Sequence, residues 1–188
     1  MKNIHSRFLQ RRLACLFVCD IQEKLFSAMA PAFQNEMEKN VPVLLQAARR
    51  LDLPVFVTEQ YPKGLGKTIA PVKKHFGDAR IFEKKVFAAT EENAFNNALR
   101  ASERQQVIVC GMESHVCVYQ TVLGLLQQGY DVHVVADAIG SRTEDNCDIG
   151  LVLMSEAGAI ISSVETVLFQ LLERTGTPEF KELQKLIM

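Results

Sequence analysis

The sequence holds a thiol, a carboxylate and an ammonium at positions suited to nucleophilic chemistry: Cys117, Asp20 and Lys84. Cys117 falls in the stretch Gln106–Gly129, where Val107–Cys110 is a short, continuous apolar run, as expected of a strand covered on both faces. The turn Gly111-Met112-Glu113-Ser114-His115 follows. Val118, Val122, Leu125 and Leu126 then keep helical spacing up to Gly129, a residue type suited to the left-handed position past a helix end. This places Cys117 in the first turn of a helix, where unpaired N–H groups and the positive end of the dipole favour the thiolate. A small buried hydrophobe is the plainer use of such a cysteine. Asp20 ends an apolar run, where a carboxylate is costly to bury without a partner, although capping a helix from Ile21 onward would also employ it. Lys84, beside Lys85, reads either as part of a solvated charged turn or as a cation for the site.

The elements around these groups alternate. Leu13–Cys19 and Pro54–Thr58 read as buried strands separated by a helix over Ala32–Leu51, which makes a βαβ unit. A short strand near Arg80–Phe82 follows, then a helix after Thr90 with Glu91 and Glu92 in its first turn, where the dipole favours acids. After the Cys117 helix come a strand at Asp131–Ala136, a helix at Glu144–Ala157 and a strand at Ala159–Ser162. Ser162 with Glu165 matches a capping box for a helix over Val164–Arg174, and Thr177-Pro178 suits the start of a last helix. The expected architecture is α/β: one three-layer α/β/α domain over residues 1–188 with a six-stranded, mainly parallel, Rossmann-like sheet. Ligands of such sheets bind beyond the carboxyl ends of the strands, where strand order reverses. Asp20, Lys84 and Cys117 follow the first, third and fourth strands on that edge.

At 188 residues, 48% hydrophobic and 23% charged, the chain has the composition of a globular domain that needs no disulfide or metal to build a core. Its net charge of −1 provides no general attraction to nucleic acid or anionic membrane. The five cysteines, Cys15, Cys19, Cys110, Cys117 and Cys147, are odd in number and show no zinc-type spacing, which suggests a reducing compartment. No apolar run approaches the 18–20 or so residues of a membrane span. Lys2, Arg7, Arg11 and Arg12 precede the first acid, a bias shared with mitochondrial presequences. A strand starting near Leu13 leaves little room for one, so residues 1–12 are expected to be a short basic extension of a cytoplasmic protein, with mitochondrial import as the alternative.

These motifs resemble the isochorismatase-like cysteine hydrolase family, which includes nicotinamidases and related amidases. The resemblance runs from about Leu13 to the C-terminus. It is carried by Asp20 with Gln22, by the lysine in Phe82-Glu83-Lys84-Lys85-Val86-Phe87, and by Gly111-Met112-Glu113-Ser114-His115-Val116-Cys117-Val118. Residues 58–66 and 130–138 look most like the isochorismatase-domain-containing subgroup. The resemblance implies an Asp–Lys–Cys triad at Asp20, Lys84 and Cys117, with Lys84 rather than Lys85 because the family's lysine stands three residues before a phenylalanine, here Phe87. A serine commonly follows that phenylalanine; this chain has Ala88. It also implies an oxyanion hole from the backbone N–H groups of Glu113 and Cys117, with a cis peptide between Met112 and Glu113. Nicotinamidases of the family hold a metal with an aspartate and two histidines after the second strand. Here that segment reads Thr58-Glu59-Gln60-Tyr61-Pro62, and His5, His75, His115 and His133 are scattered, so neither metal nor cofactor is expected. Isochorismatases proper lack the cysteine, whereas this chain keeps it.

The resulting expectation is metal-independent hydrolysis of a small amide or related acyl substrate through a thioester. Asp20 would carry the proton and Lys84 would stabilise the charged forms and lower the thiol pKa. Gln22, Glu59, Gln60, Tyr61 and Phe87 are the candidates for a substrate pocket, while His115 reads as a turn residue. Family members usually assemble, so a homo-oligomer, dimer or tetramer, is expected; Phe180, Leu183, Leu186 and Ile187 share one face of the last helix and could meet the sheet or another subunit. Two other classes compete. The basic stretch from Lys63 to Lys85 and the ribonuclease label of some relatives fit a ribonuclease or nucleic-acid-binding protein, and the same fold also suits a non-catalytic interaction protein.

Overall fold

The computed structural model describes residues 8–188. Lys2 and Arg7 of the basic N-terminal run lie outside the described residues. Arg11 and Arg12 do not form a loose tail: Leu9 is buried, and Arg11 Nε donates to the Leu51 carbonyl at 2.7 Å.

The chain alternates as β1 (Ala14–Cys19), α1 (Glu23–Ser27), α2 (Pro31–Arg50), β2 (Val55–Gln60), α3 (Pro62–Leu65), α4 (Ala70–Lys73), β3 (Arg80–Lys84), α5 (Asn93–Ala101), β4 (Gln106–Met112), α6 (Tyr119–Gln127), β5 (Asp131–Gly140), α7 (Glu144–Glu156), β6 (Ile160–Ser162), α8 (Val164–Leu172) and α9 (Pro178–Leu183). The six strands form one sheet in the order β3-β2-β1-β4-β5-β6. Every pairing is parallel, so the sheet is wholly parallel rather than mainly so. Strand order runs outward from β1 in one direction and from β4 in the other. The reversal therefore lies between β1 and β4, where the open crevice of such a sheet falls.

Strand geometry sends alternate side chains to opposite faces, and each face of β1 has its own core. Leu16 and Val18 join Val41, Leu44 and Leu45 of α2 and Leu168 and Leu171 of α8. Cys15, Phe17 and Cys19 join Phe95 and Leu99 of α5 and Val122 and Leu125 of α6. Phe95 anchors this second core, with ring centroids 4.9 Å from Phe17, 6.2 Å from Phe56 and 5.8 Å from Phe82. Full burial of one such side chain contributes roughly 1.5–3 kcal/mol. The last helix uses its apolar face in the same way: Leu183 is buried, and Phe180, Leu186 and Ile187 pack on the α2 side of the sheet.

Several element ends differ from expectation for local reasons. β5 continues to Gly140 because it pairs with β4 again beyond a register shift between Val109 and Gly111. The cap of α8 is Ser163, whose Oγ accepts from Thr166 N at 3.2 Å, one residue later than the Ser162 capping box. Glu92 lies at the cap of α5 rather than inside it, accepting from Ala94 N. Thr177 caps α9 as expected, and Gly129 has φ 89° just past α6. Among the described residues no helix is long and apolar enough to cross a membrane.

Candidate active site

Asp20 is the first residue after β1 and takes φ 50°, a left-handed conformation that aspartate tolerates better than most residues. Its carboxylate caps no helix. Oδ2 accepts from Lys84 Nζ at 2.6 Å and from the Cys19 thiol at 3.5 Å, while Oδ1 accepts from the Thr58 hydroxyl at 2.7 Å. Both side chains of the Asp20–Lys84 ion pair are 0% exposed. Lys84 is therefore not part of a solvated turn. Its ammonium also reaches Gln60 Oε1 at 2.6 Å and the carbonyls of Phe87 and Val86 at 3.1 and 3.3 Å. Asp20, Gln60 and the two carbonyls all accept from it, which suits the protonated amine.

Cys117 completes the cluster from the other side of the switch point. It sits in a turn of π-helix, Ser114–Val118, that precedes α6, so the thiol is one element earlier than the first α-helical turn. π-turns recur at functional sites. α7 supports this turn: a Cβ on Gly150 would lie 2.3 Å from Ser114 Oγ and 2.9 Å from His115 N, so only glycine permits the approach. The Cys117 thiol is 6% exposed, and Asp20 and Lys84 both lie near enough to act on its titration. The Met112–Glu113 peptide is cis, and the Glu113 carboxylate is held by Arg142 Nε at 2.9 Å. His115 Nδ1 meets Ser141 Oγ at 3.0 Å, as befits a turn residue.

The electrostatics depart from the expected thiolate. Burial pushes the Cys117 thiol up to about 12, and the Asp20 charge adds to this, while Lys84 pulls in the opposite direction without prevailing. Burial also drives Cys19 well above the ordinary range. For Lys84, burial favours the neutral amine, but Cys19, Asp20 and Cys117 together outweigh it and the pKa is raised. Since both thiols are protonated at neutral pH, Asp20 is the neighbour that holds the lysine charged. The resting site is thus a thiol beside an aspartate–lysine ion pair.

The proposed pocket residues divide. Tyr61 and Phe87 are 50% and 54% exposed. Glu59 is buried, with Oε1 accepting from Thr68 N and Oγ1 at 2.8 and 2.9 Å and Oε2 from Lys67 Nζ at 3.1 Å; it clips the loop after α3 to β2. Gln22 is fully buried, and its amide is consumed by Gln60 and Gly66. With Glu59 so engaged and Gln60 on Lys84, the residues that close β2 do not fit the aspartate–histidine metal set of nicotinamidases. Among the described residues no group of three or more His, Cys, Asp or Glu is gathered for a metal. Sequence reasoning missed Thr58 and Arg142, whose contacts depend on pairing between distant segments. A threonine closing an apolar strand was the one signal for Thr58.

Two open clefts of about 600 and 680 Å³ lie at the opposite, amino-terminal ends of the strands, around Arg11, Asp52 and Arg104 and around Pro54, Gly77 and Arg80. Neither is lined by a thiol. Chemistry, not cleft size, points to the carboxyl-terminal edge.

The isochorismatase domain pattern matches residues 14–166. The chain belongs to the isochorismatase-like hydrolase family. Isochorismatase domain-containing protein 2 of Xenopus laevis is 38% identical over 180 residues, which cover 96% of this chain and 86% of that protein. Among solved structures of similar fold, the MAR1 ribonuclease of Caenorhabditis elegans is 39% identical, with a TM-score of 0.87 and coverage of 96% of this chain and 92% of the other. YcaC from Pseudomonas aeruginosa, solved with hexane-2,5-diol and covalent acrylamide, is 26% identical, with a TM-score of 0.90 and coverage of 96% and 91%.

Proposed function

We propose that this isochorismatase-like hydrolase is a metal-independent cysteine hydrolase acting on a small amide or related acyl substrate. The observation that carries this reading is the wholly buried Asp20–Lys84 ion pair, which acts on the Cys117 thiol across the switch point of the sheet. A thiol held near 12 does not await substrate as a thiolate. Its proton passes to Asp20 as sulfur attacks the acyl carbon, so Asp20 acts as general base within the attack itself. Lys84 keeps its proton throughout and offsets the charge on Asp20 and sulfur. The backbone N–H groups of Glu113 and Cys117 are the proposed donors to the oxyanion, in a role where one donor contributes about 2.7–4 kcal/mol. Asp20 then returns the proton to the leaving amine, and water attacks the thioester to release the acid and restore the thiol. Covalent acrylamide in the similar YcaC structure supports a reactive nucleophile in this fold.

The test is a panel of small amides offered to the enzyme, with mass spectrometry of the Cys117 peptide. An acyl adduct that vanishes in Cys117→Ala and accumulates when water attack is slowed is expected; turnover that survives Cys117→Ala would refute the reading. The name of the MAR1 structure brings a second activity to the same test. RNA cleavage that persists in both Cys117→Ala and Asp20→Asn would place ribonuclease action outside this site.

We also propose homo-oligomers, formed through the outer face of α7, where Ile149, Val152 and Leu153 are exposed together. Sedimentation of wild type as a multimer and of Val152→Glu as a smaller species is expected. A monomeric wild type at micromolar concentration would overturn this.

A further inference from the structure

The side chain of Gln60 has both ends occupied. Nε2 donates to the Lys85 carbonyl at 2.9 Å, which turns Oε1 toward Lys84 Nζ at 2.6 Å, as short as the ion pair with Asp20. The amide therefore has one orientation, and its carbonyl dipole points at the ammonium. Gln60 itself is held by Gln22. Past the Cys19–Thr58 pairing, β1 turns away from β2 and leaves the Gln60 peptide without a strand on that side. The Gln22 side chain replaces it, with Oε1 accepting from Gln60 N at 2.6 Å and Nε2 donating to Gln60 O at 3.0 Å. On the other side Gln60 stays in register with Lys84 of β3.

We propose that Gln60, clamped by Gln22, is a positioning residue that fixes the Lys84 ammonium between Asp20 and the Cys117 thiol, rather than a substrate-binding residue. This role rests on the triad reading above. A lysine on a four-carbon stem has rotamers to lose, and Asp20 alone, as a single acceptor, does not fix its direction. Gln60 and the Val86 and Phe87 carbonyls supply the remaining acceptors, and Gln60 is the only side chain among them. The clamp also joins β1, β2 and β3 at the edge where the chemistry takes place. The Asp-x-Gln spacing at Asp20 and Gln22 thus has a physical basis: one residue carries the proton, and the other, two positions on, supports the lysine that pairs with it.

The test reads the Cys117 thiol directly, with no need for a known substrate. Alkylation by acrylamide is followed by mass spectrometry of the Cys117 peptide at several pH values below 10 in wild type, Gln60→Met, Lys84→Met and the double variant, with thermal melts confirming that each is folded. If Gln60 acts through Lys84, Gln60→Met slows alkylation by about tenfold, one unit of apparent thiol pKa. The same substitution then has no further effect on top of Lys84→Met. Gln60→Glu keeps an acceptor on Lys84 but adds an anion, so it also displaces the rate profile to higher pH, and it serves if the methionine variant does not fold. Alkylation at the wild-type rate in Gln60→Met, with Lys84→Met slowed, would overturn the positioning role and leave the triad standing. An undiminished Gln60→Met effect in the Lys84→Met background would also overturn it. Alkylation unchanged by Lys84→Met would instead remove the triad reading on which the role depends.

Discussion

Replacing Lys84 by methionine removes the cation from an ion pair whose two side chains are wholly buried, with nitrogen 2.6 Å from oxygen. Methionine is close in volume, so the main loss is electrostatic: Asp20 keeps the Thr58 hydroxyl at 2.7 Å and the weak Cys19 donor at 3.5 Å, but no opposite charge. Breaking a buried pair by removing one partner costs about 3–5 kcal/mol. Against a total stability of about 5–15 kcal/mol this is a large share. At roughly 2–4 °C per kcal/mol for a chain of this size, the melting temperature falls by about 6–20 °C. Asp20→Asn alone costs less, about 1–3 kcal/mol, because Lys84 retains three oxygen acceptors. Combining the two removes both charges and recovers part of the loss, with a coupling of at least about 2 kcal/mol in urea unfolding at neutral pH. The pH dependence has a defined sign. Lys84 is raised above its ordinary 10.5 in the folded protein, so its contribution is fully present below 10.5 and is lost as pH rises through the folded value. The stability gap between wild type and the doubly substituted protein is therefore flat from pH 6 to about 10 and narrows above that. Additivity of the two substitutions within about 0.5 kcal/mol would show that the ion pair is not the linked unit described here.

Burial raises Cys15 and Cys117 to about 12 and Cys19 and Cys110 above the ordinary 9.0. The unfolded chain therefore loses these protons first, and stability should fall above pH 9 by about 1.4 kcal/mol per unit for each thiol; Cys110→Ala should flatten the urea midpoint profile by one such increment. In native protein at neutral pH, acrylamide should label Cys117 ahead of the other four cysteines. Cys117→Ala should abolish that labelling while unfolding within about 1 kcal/mol of wild type; equal labelling of all five would refute an accessible active thiol. Gly111, at φ 119°, lies where an added Cβ would sit 2.1 Å from the Cys19 carbonyl oxygen. Gly111→Ala should thus destabilise by more than about 4 kcal/mol and yield little soluble protein, whereas normal yield and melting would show that β1 and β4 have room to part.

Local pattern made the α/β alternation, the six strands and the chain positions of Asp20, Lys84 and Cys117 readable, because hydrophobic periodicity and turn residues report on short stretches of chain. Element ends were less legible. β5 runs on to Gly140 because β4 pairs with it again past a bulge, and Ser163 rather than Ser162 caps α8; such one-residue choices follow from partners elsewhere in the chain. The types of residue able to do chemistry were visible in the sequence, but their division of labour was not. Gln22, Glu59 and Gln60 are polar residues near a presumed site, and from spacing alone they suit a pocket. Contacts between segments instead engage Glu59 with Thr68 and Lys67, Gln22 with the Gln60 peptide, and Gln60 with Lys84. The state of Cys117 was likewise decided in three dimensions. A helix dipole and a lysine, each a local argument, favour the thiolate, but burial and the adjacent Asp20 act more strongly and hold the thiol protonated. Sequence thus determined which groups stand at the carboxyl edge of the sheet; tertiary structure decided which of them face one another and how far each is removed from water, because both depend on contacts between segments far apart in the chain.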